Sequence, residues 1–429
     1  MNKRKVLIIT YYWPPAGGPG VQRWLKFVKY LRDFDIEPVV YIPENPSYPF
    51  KDEELLKEVI DDLEVIRKPI FEPYRIARIL GGNKVSKISK GIIPDKKQSA
   101  IEKLLLWIRG NFFIPDARKY WVKPSVLHLK NVIKESDINT VITTGPPHSL
   151  HLIGCKLKQL CPELKWISDF RDPWTTIGYH SKLKLTDYSA RRHKKLERMV
   201  LTKADIITVT SLTTKTLFET ITDRPIHVIT NGYDMELAET SLNPKKFSLA
   251  HIGSLLTGRN PEILWAVLKE LLNEQQDFAK DFELVLAGVL SEEVLRKIYA
   301  YDLKKYTKLL GYISHQEVLE LQKNSAVLLL LEINSEYNKC IIPGKLFEYM
   351  VSQRPIIAIG PESWDVVPII AKTNTGIGFN YTQKKELKEK IVSYYLDFKR
   401  GELKTQPIKL KDYHRKSLTK QLAKLIKSM

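Results

Sequence analysis

The chain has 429 residues, 43% hydrophobic and 27% charged. That is too long for one ordinary domain and too apolar for a disordered or collagen-like protein. A formal charge of +19 calls for an anionic partner: a nucleotide, a lipid headgroup or a nucleic acid. Cys155, Cys161 and Cys340 have neither disulfide nor metal spacing, which fits a reducing, cytoplasmic setting.

No apolar run is long enough to cross a bilayer. Met1 to Lys5 is basic, but the apolar stretch after it is too short for a signal peptide and reads as a first strand. Zinc-finger spacing, basic-zipper heptads and RNA-recognition aromatics are lacking, so nucleic acid ranks last among the anionic partners.

Lys5 to Thr10 is a continuous apolar strand. The loop Trp13-Pro14-Pro15-Ala16-Gly17-Gly18-Pro19-Gly20 follows, then a helix from about Val21 to Arg32. A glycine-rich turn between a first strand and a first helix is where Rossmann-like domains hold a ligand. The spacing is not the dinucleotide fingerprint, and these glycines also suit a plain tight turn. Asp33-Phe34-Asp35 spells D-x-D, a metal-like pattern. Its position at a helix end, before a strand over Glu37 to Ile42, predicts a solvated turn instead.

Residues 67–130 stand apart. They hold fifteen Lys or Arg against four Asp or Glu, a net of +11. Phe71, Tyr74, Trp107, Phe112, Phe113, Tyr120 and Trp121 are interleaved with those charges. Ser99 and Glu102 form a capping pattern ahead of the apolar run Leu104 to Ile108. A basic helical insertion suited to an anionic membrane surface is expected here. A helical pair packed on its own domain, with a solvated basic face, is the alternative.

Regular α/β alternation resumes at Thr140. Strands are expected at Thr140 to Thr144, Lys165 to Ser168, Asp205 to Thr210 and Ile226 to Thr230. The first leads into Gly145-Pro146-Pro147-His148 and the second into Asp169-Phe170-Arg171-Asp172. Ligands of open parallel sheets bind beyond the carboxyl ends of strands, so His148, Asp169 and Asp172 are candidate site residues. Caps or turns are the ordinary roles for such residues.

Asn231-Gly232-Tyr233-Asp234 is a turn signal, and polar residues run on to Lys246. The predicted boundary lies near residue 240: an N-terminal domain over 1–240, a second over 241–412, and a helix in 413–429 that could pack back on the first. The second domain opens with a strand, Phe247 to Ile252, the loop Gly253-Ser254-Leu255-Leu256-Thr257-Gly258-Arg259, and a helix, Pro261 to Leu272. Phe282 to Ala287, Lys308 to Tyr312, Ala326 to Leu331, Pro355 to Ile359 and Gly376 to Phe379 read as further strands. Two doubly wound α/β domains in series imply a cleft between them.

Ile341 to Met350 carries the densest chemical signal. Pro343 suits a first helical turn, and Gly344 lets backbone approach a ligand. Lys345 and Glu348 share one helix face near the amino-terminal end. A cation, free amides and a carboxylate together suit a nucleoside diphosphate: phosphate oxygens on the first two, ribose hydroxyls on the third. The same spacing suits a surface ion pair.

In the order of these segments the sequence resembles the GT-B glycosyltransferases, and within them glycosyltransferase family 4, over nearly its whole length. The carriers are Gly17-Gly18, Asn231-Gly232-Tyr233-Asp234, Gly253-Ser254 with Arg259, and Pro343-Gly344-Lys345-Leu346-Phe347-Glu348-Tyr349. The resemblance implies two Rossmann-like domains facing across a cleft and transfer from a nucleotide-sugar with retention. It implies no metal or other cofactor and a donor held mainly by the second domain. Glu348 matches the second glutamate of the family's E-x7-E motif, which binds ribose. Arg259 and Lys345 match its diphosphate-binding cations, with Gly253, Ser254, Gly344 and Leu346 beside them. Gly17 and Gly18 match the loop that approaches the donor phosphate and the acceptor. Two departures stand out: Cys340 replaces the first motif glutamate, with Glu332 or Glu336 as possible substitutes, and Asp169 stands where the family has a histidine.

The expected activity is transfer of a sugar to a lipid-linked or polysaccharide-precursor acceptor on the cytoplasmic membrane face. Arg259 and Lys345 would stabilise the leaving diphosphate, and Asp169, Asp172 and His148 would orient the acceptor hydroxyl. A nucleotide-sugar 2-epimerase of the same fold and a non-catalytic nucleotide-sugar-binding partner are the rival readings.

Overall fold

The computed structural model describes residues 4–73, 100–236 and 244–429. The pattern beginning at Ser99, and Tyr74, lie outside them. The chain divides into two compact units, Met1–Asp234 with His414–Met429, and Met235–Tyr413.

The first unit is built on seven parallel strands: β1 (Arg4–Ile9), β2 (Ile36–Pro43), β3 (Glu64–Lys68), β4 (Thr140–Gly145), β5 (Lys165–Phe170), β6 (Ile206–Val209) and β7 (Ile226–Val228). Their order is β3-β2-β1-β4-β5-β6-β7. Val6 to Ile9 are all fully buried because helices cover both faces of the sheet. Alternation splits the strand between two layers. Leu7 and Ile9 pack with Trp121, Leu129 and Trp166, whereas Val6 and Ile8 pack with Trp24, Phe27 and Leu422. The order reverses between β1 and β4, so the loops after these strands flank the switch point where doubly wound sheets take ligands.

The helix Arg415–Lys427 belongs to this unit. Leu418, Leu422 and Ile426, spaced at four, lie on one stripe buried against the helix Pro19–Leu31. Each such burial contributes about 1.5–3 kcal/mol. The D-x-D carboxylates pair with this helix: Lys416 lies 2.6 Å from Asp33 and Lys427 3.3 Å from Asp35. These exposed pairs contribute about 0–1 kcal/mol each, so the apolar stripe holds the helix.

The second unit has six parallel strands: β8 (Phe247–Ile252), β9 (Phe282–Ala287), β10 (Thr307–Gly311), β11 (Val327–Leu331), β12 (Ile356–Ile359) and β13 (Gly376–Phe379). Their order is β10-β9-β8-β11-β12-β13, with the switch point between β8 and β11.

The expectation of a basic helical insertion over residues 67–130 needs correction at three places. Arg67 and Lys68 end β3, which pairs with β2 at the sheet edge. Trp121 is 1% exposed and stacks on Tyr41 at 4.8 Å, so it cannot enter a bilayer. Arg118 is enclosed too: its guanidinium lies 3.2 Å from the buried Glu72 carboxylate and over the Tyr11 ring. The helices Ala100–Phe112 and Lys119–Glu135 thus pack one face into the domain.

Candidate active site

In the second unit the candidate residues converge at the carboxyl ends of β8 and β11. Gly344 caps the short helix Lys345–Val351, and Pro343 stands one residue ahead of that cap. The amides of Leu346 and Phe347 already bond to the carbonyls of Pro343 and Gly344. The Leu346 side chain is buried in the unit. The helix therefore offers fewer free amides than its sequence suggests, and the cations carry the site.

Lys345 forms no ion pair with Glu348. Its ammonium instead donates to the Ile252 carbonyl oxygen at 3.0 Å, at the end of β8. It also lies 3.5 Å from Nε2 of His251. Nδ1 of His251 sits 3.1 Å from the Leu329 carbonyl oxygen, an acceptor only, so Nδ1 holds the proton and Nε2 offers a lone pair to Lys345. Burial, then the Lys345 charge, holds the His251 pKa well below its ordinary value. Burial and the charge of Arg259 bring Lys345 itself down to about 7, against opposing pulls from Glu332 and Glu348. Gly253 makes room for this arrangement: a Cβ there would stand 3.1 Å from the ammonium. Ser254 follows it, exposed in the loop.

Arg259 is tied to Glu332, which is fully buried: Nε and Nη2 donate to its two oxygens at 3.1 and 3.2 Å. The Ile333 amide and the Asn338 side chain donate to the same carboxylate. Glu332 thus fixes the guanidinium, and Nη1 has no hydrogen-bond partner among the described residues. Glu336 points elsewhere, paired with Lys339 at 2.6 Å. Cys340 is buried, its thiol 3.6 Å from the Tyr337 carbonyl oxygen. Glu348 is half-buried, and among the described residues its carboxylate takes one long bond, from Gln322 at 3.4 Å. An open carboxylate edge, an open guanidinium edge and a poised ammonium are thus gathered at one switch point. Charge-assisted bonds of this kind suit a nucleoside diphosphate.

The first unit carries a second cluster at its own switch point. The Gly17 amide bonds to the Phe50 carbonyl oxygen, and Gly18 caps the first helix at φ 103°. Arg171, which the sequence reading left out, packs against Gly20 so closely that a Cβ there would meet the guanidinium. It also donates to the carbonyls of Gly145 and Pro146. Asp172 is next to it. Burial raises the Asp172 pKa while the Arg171 charge opposes that, and no hydrogen bond to its carboxylate is formed among the described residues. His148 is buried and stacks on Trp174 at 4.9 Å, and neither ring nitrogen has a hydrogen-bond partner among the described residues. Burial keeps it neutral.

Asp169 is different. It is fully enclosed and accepts from Arg23 at 2.8 Å, Trp24 at 3.0 Å, Thr144 at 2.9 Å and Thr208 at 2.8 Å. Both oxygens are engaged inside the fold, so this carboxylate braces the first helix against the sheet. Among the described residues no group of three or more His, Cys, Asp or Glu is placed to hold a metal ion.

No protein-family model matches the sequence, and a search of curated proteins finds no match. Solved structures do match. A glycosyltransferase from Rickettsia africae superposes with a TM-score of 0.62 at 13% identity, covering 100% of this chain and 99% of that one. The lipopolysaccharide outer core galactosyltransferase WaaB gives 0.60 at 15% identity, covering 99% of each chain. A putative UDP-N-acetylglucosamine 2-epimerase from Listeria monocytogenes gives 0.53 at 13% identity, covering 99% of this chain and 96% of that one. Together with the two parallel sheets, these likenesses identify the fold as GT-B.

Proposed function

We propose that the protein is a glycosyltransferase that moves a sugar from a nucleotide-sugar donor to a lipid-linked or polysaccharide-precursor acceptor. The observation that carries this reading is the convergence of Lys345, Arg259 and Glu348 at the β8–β11 switch point. Glu348 accepts from the ribose hydroxyls, and the two cations take the diphosphate. As the glycosyl C–O bond breaks, its electron pair passes to the β-phosphate, where preorganised cations stabilise the charge most. The acceptor oxygen bonds to the sugar carbon, and its proton passes to the departing phosphate. That path retains configuration and asks no base of the protein. Asp172 and His148, two groups with unmet bonding capacity at the first-unit switch point, orient the acceptor hydroxyl.

The acceptor class draws support from the likeness to a lipopolysaccharide galactosyltransferase, and from the basic, aromatic surface of the first unit. No helix among the described residues is long and apolar enough to cross a membrane. The enzyme works from the cytoplasmic side, held peripherally at the inner membrane face. Two fixed cations do the work of a metal, so transfer survives EDTA.

The 2-epimerase reading draws on the Listeria likeness, and the two reactions separate cleanly. The test is to supply nucleotide-sugars with and without lipid-linked saccharide and to follow both products. Acceptor-dependent release of nucleoside diphosphate supports transfer. Conversion of the donor to its epimer without acceptor, or activity lost to EDTA and restored by Mg²⁺, contradicts it.

A further inference from the structure

The first unit has a groove, lined by no residue of either switch-point cluster, that the transfer reaction leaves unused. It measures 440 Å³ and lies between the end of the helix Ala100–Phe112 and the start of the helix Asp187–Lys203. Trp107, Phe112 and Tyr188 line it together with two cations, Lys119 and Arg192, and among the described residues no acidic side chain lines it. Among the described residues no carboxylate forms an ion pair with either cation, and the Asp116 carboxylate, the charge of opposite sign that acts on Lys119, is taken up by the Ser149 amide and hydroxyl. The Lys119 ammonium donates to the Phe112 carbonyl oxygen at 2.6 Å, and Arg192 donates to the Tyr188 hydroxyl at 3.1 Å. The two charges feel each other: burial and, after it, the Arg192 charge press the Lys119 pKa down against a smaller opposing pull from Asp116.

The rim is apolar and open to water. Phe112 is 61% exposed and Tyr188 64%. Lys103, Arg191, Lys194 and Lys195 are exposed on the same two helices. Exposed aromatic rings around a pair of cations that form no ion pair among the described residues match a bilayer surface. Such rings settle at headgroup level, and cations there gain from anionic lipid. A soluble anion would use the cations and leave the rings in water.

We propose that this groove seats the phosphate of an anionic phospholipid between Lys119 and Arg192, with Phe112 and Tyr188 entering the bilayer interface. The inference rests on the reading of a membrane-facing transferase and assigns the contact to these four residues. Trp121 and Arg118, buried in the domain, take no part.

The test is co-sedimentation of the full chain with phosphatidylglycerol-containing vesicles and with pure phosphatidylcholine vesicles. Wild type should bind the first and not the second. Lys119→Gln with Arg192→Gln should lower partitioning about thirtyfold. Phe112→Ser with Tyr188→Ser should lower it while leaving both cations in place. Lys385→Gln with Lys420→Gln removes equal charge elsewhere and should bind as wild type. Nucleoside diphosphate binding checks that each variant is folded. If the groove pairs bind vesicles like wild type, or if the control pair loses as much, the groove is not the site. Displacement from vesicles by inorganic phosphate at equal phosphate concentration would make it a soluble-anion site and overturn the proposal. Wild type that ignores anionic vesicles altogether defeats the membrane reading with it, while donor binding and transfer are judged independently.

Discussion

The Lys345 ammonium lies 3.5 Å from Nε2 of His251, a ring whose other nitrogen is 3.1 Å from the Leu329 carbonyl oxygen. A neutral imidazole and the Ile252 carbonyl thus hold a cation that forms no ion pair among the described residues, with Glu332 and Glu348 acting on it only through their charge. The arrangement leaves the charge only half-committed near neutral pH, at a pKa of about 7.

Diphosphate binding should therefore depend on pH. The ligand's negative charge raises the Lys345 pKa, so the protonated form binds tighter. Below about pH 7 the proton is already present and affinity is flat. Above it each binding event must take up a proton, and affinity falls as pH rises. Calorimetry at pH 8 in buffers of differing ionisation enthalpy should detect that uptake, and Lys345→Ala should abolish it. An affinity that rises from pH 7 to 9 would contradict this placement.

Glu332→Ala should disturb both stability and the donor site. Its carboxylate takes bonds from Arg259, Ile333 and Asn338. Leaving such buried donors unpaired costs about 1–3 kcal/mol. With Arg259 no longer held, nucleoside diphosphate affinity should drop as well. A lower denaturant midpoint together with a higher Kd is the expected pair of results; Glu332→Gln should recover part of the first.

Asp169→Ala should behave as a folding mutation. Breaking the buried pair with Arg23 leaves a guanidinium enclosed without its partner, at a cost of about 3–5 kcal/mol. Urea unfolding measures it directly. A variant of wild-type stability with low kcat would instead return Asp169 to the reaction.

Acid should unfold the first unit early. Burial depresses the pKa of His151 to about 3 and of His180 to about 4, and lowers His148 and His193. In the unfolded chain these imidazoles titrate near 6.5. As pH falls below that value the unfolded state takes up protons that the folded state refuses, so stability is lost with falling pH. Each imidazole contributes at most about 1.4 kcal/mol per pH unit. Melting temperature measured from pH 7 to pH 4 should decline steeply, and His180→Phe should flatten the decline.

Much of the architecture is legible in the sequence because parallel strands buried on both faces must be continuous apolar runs. Phe247 to Ile252 and Phe282 to Ala287 form strands over the very residues that the pattern marks. β3 escapes because Glu64–Lys68 is a short edge strand with charges among its apolar residues. Lys345 is legible from its place beside Gly344 and Glu348. Its real partners are not, since His251 and Ile252 lie more than ninety positions away. The pairing of Arg259 with Glu332 spans 73 positions and is equally silent in the sequence. The aromatics of residues 67–130 mislead for a related reason. Composition counts Trp121 and Phe112 alike, but only tertiary packing buries one and exposes the other.

The most direct test of the central claim is titration of UDP, GDP, ADP, CMP and dTDP into the wild-type chain and into Lys345→Ala, Arg259→Ala and Glu348→Ala. One nucleotide should bind and stabilise the wild type. Losing a charge-assisted bond worth about 1.5–3 kcal/mol should weaken that binding tenfold or more in each variant. Lys345→Ala and Arg259→Ala should lose more affinity for the diphosphate than for the parent nucleoside. No binding by any of the five, or three variants that bind like wild type, would contradict a donor site at the β8–β11 switch point.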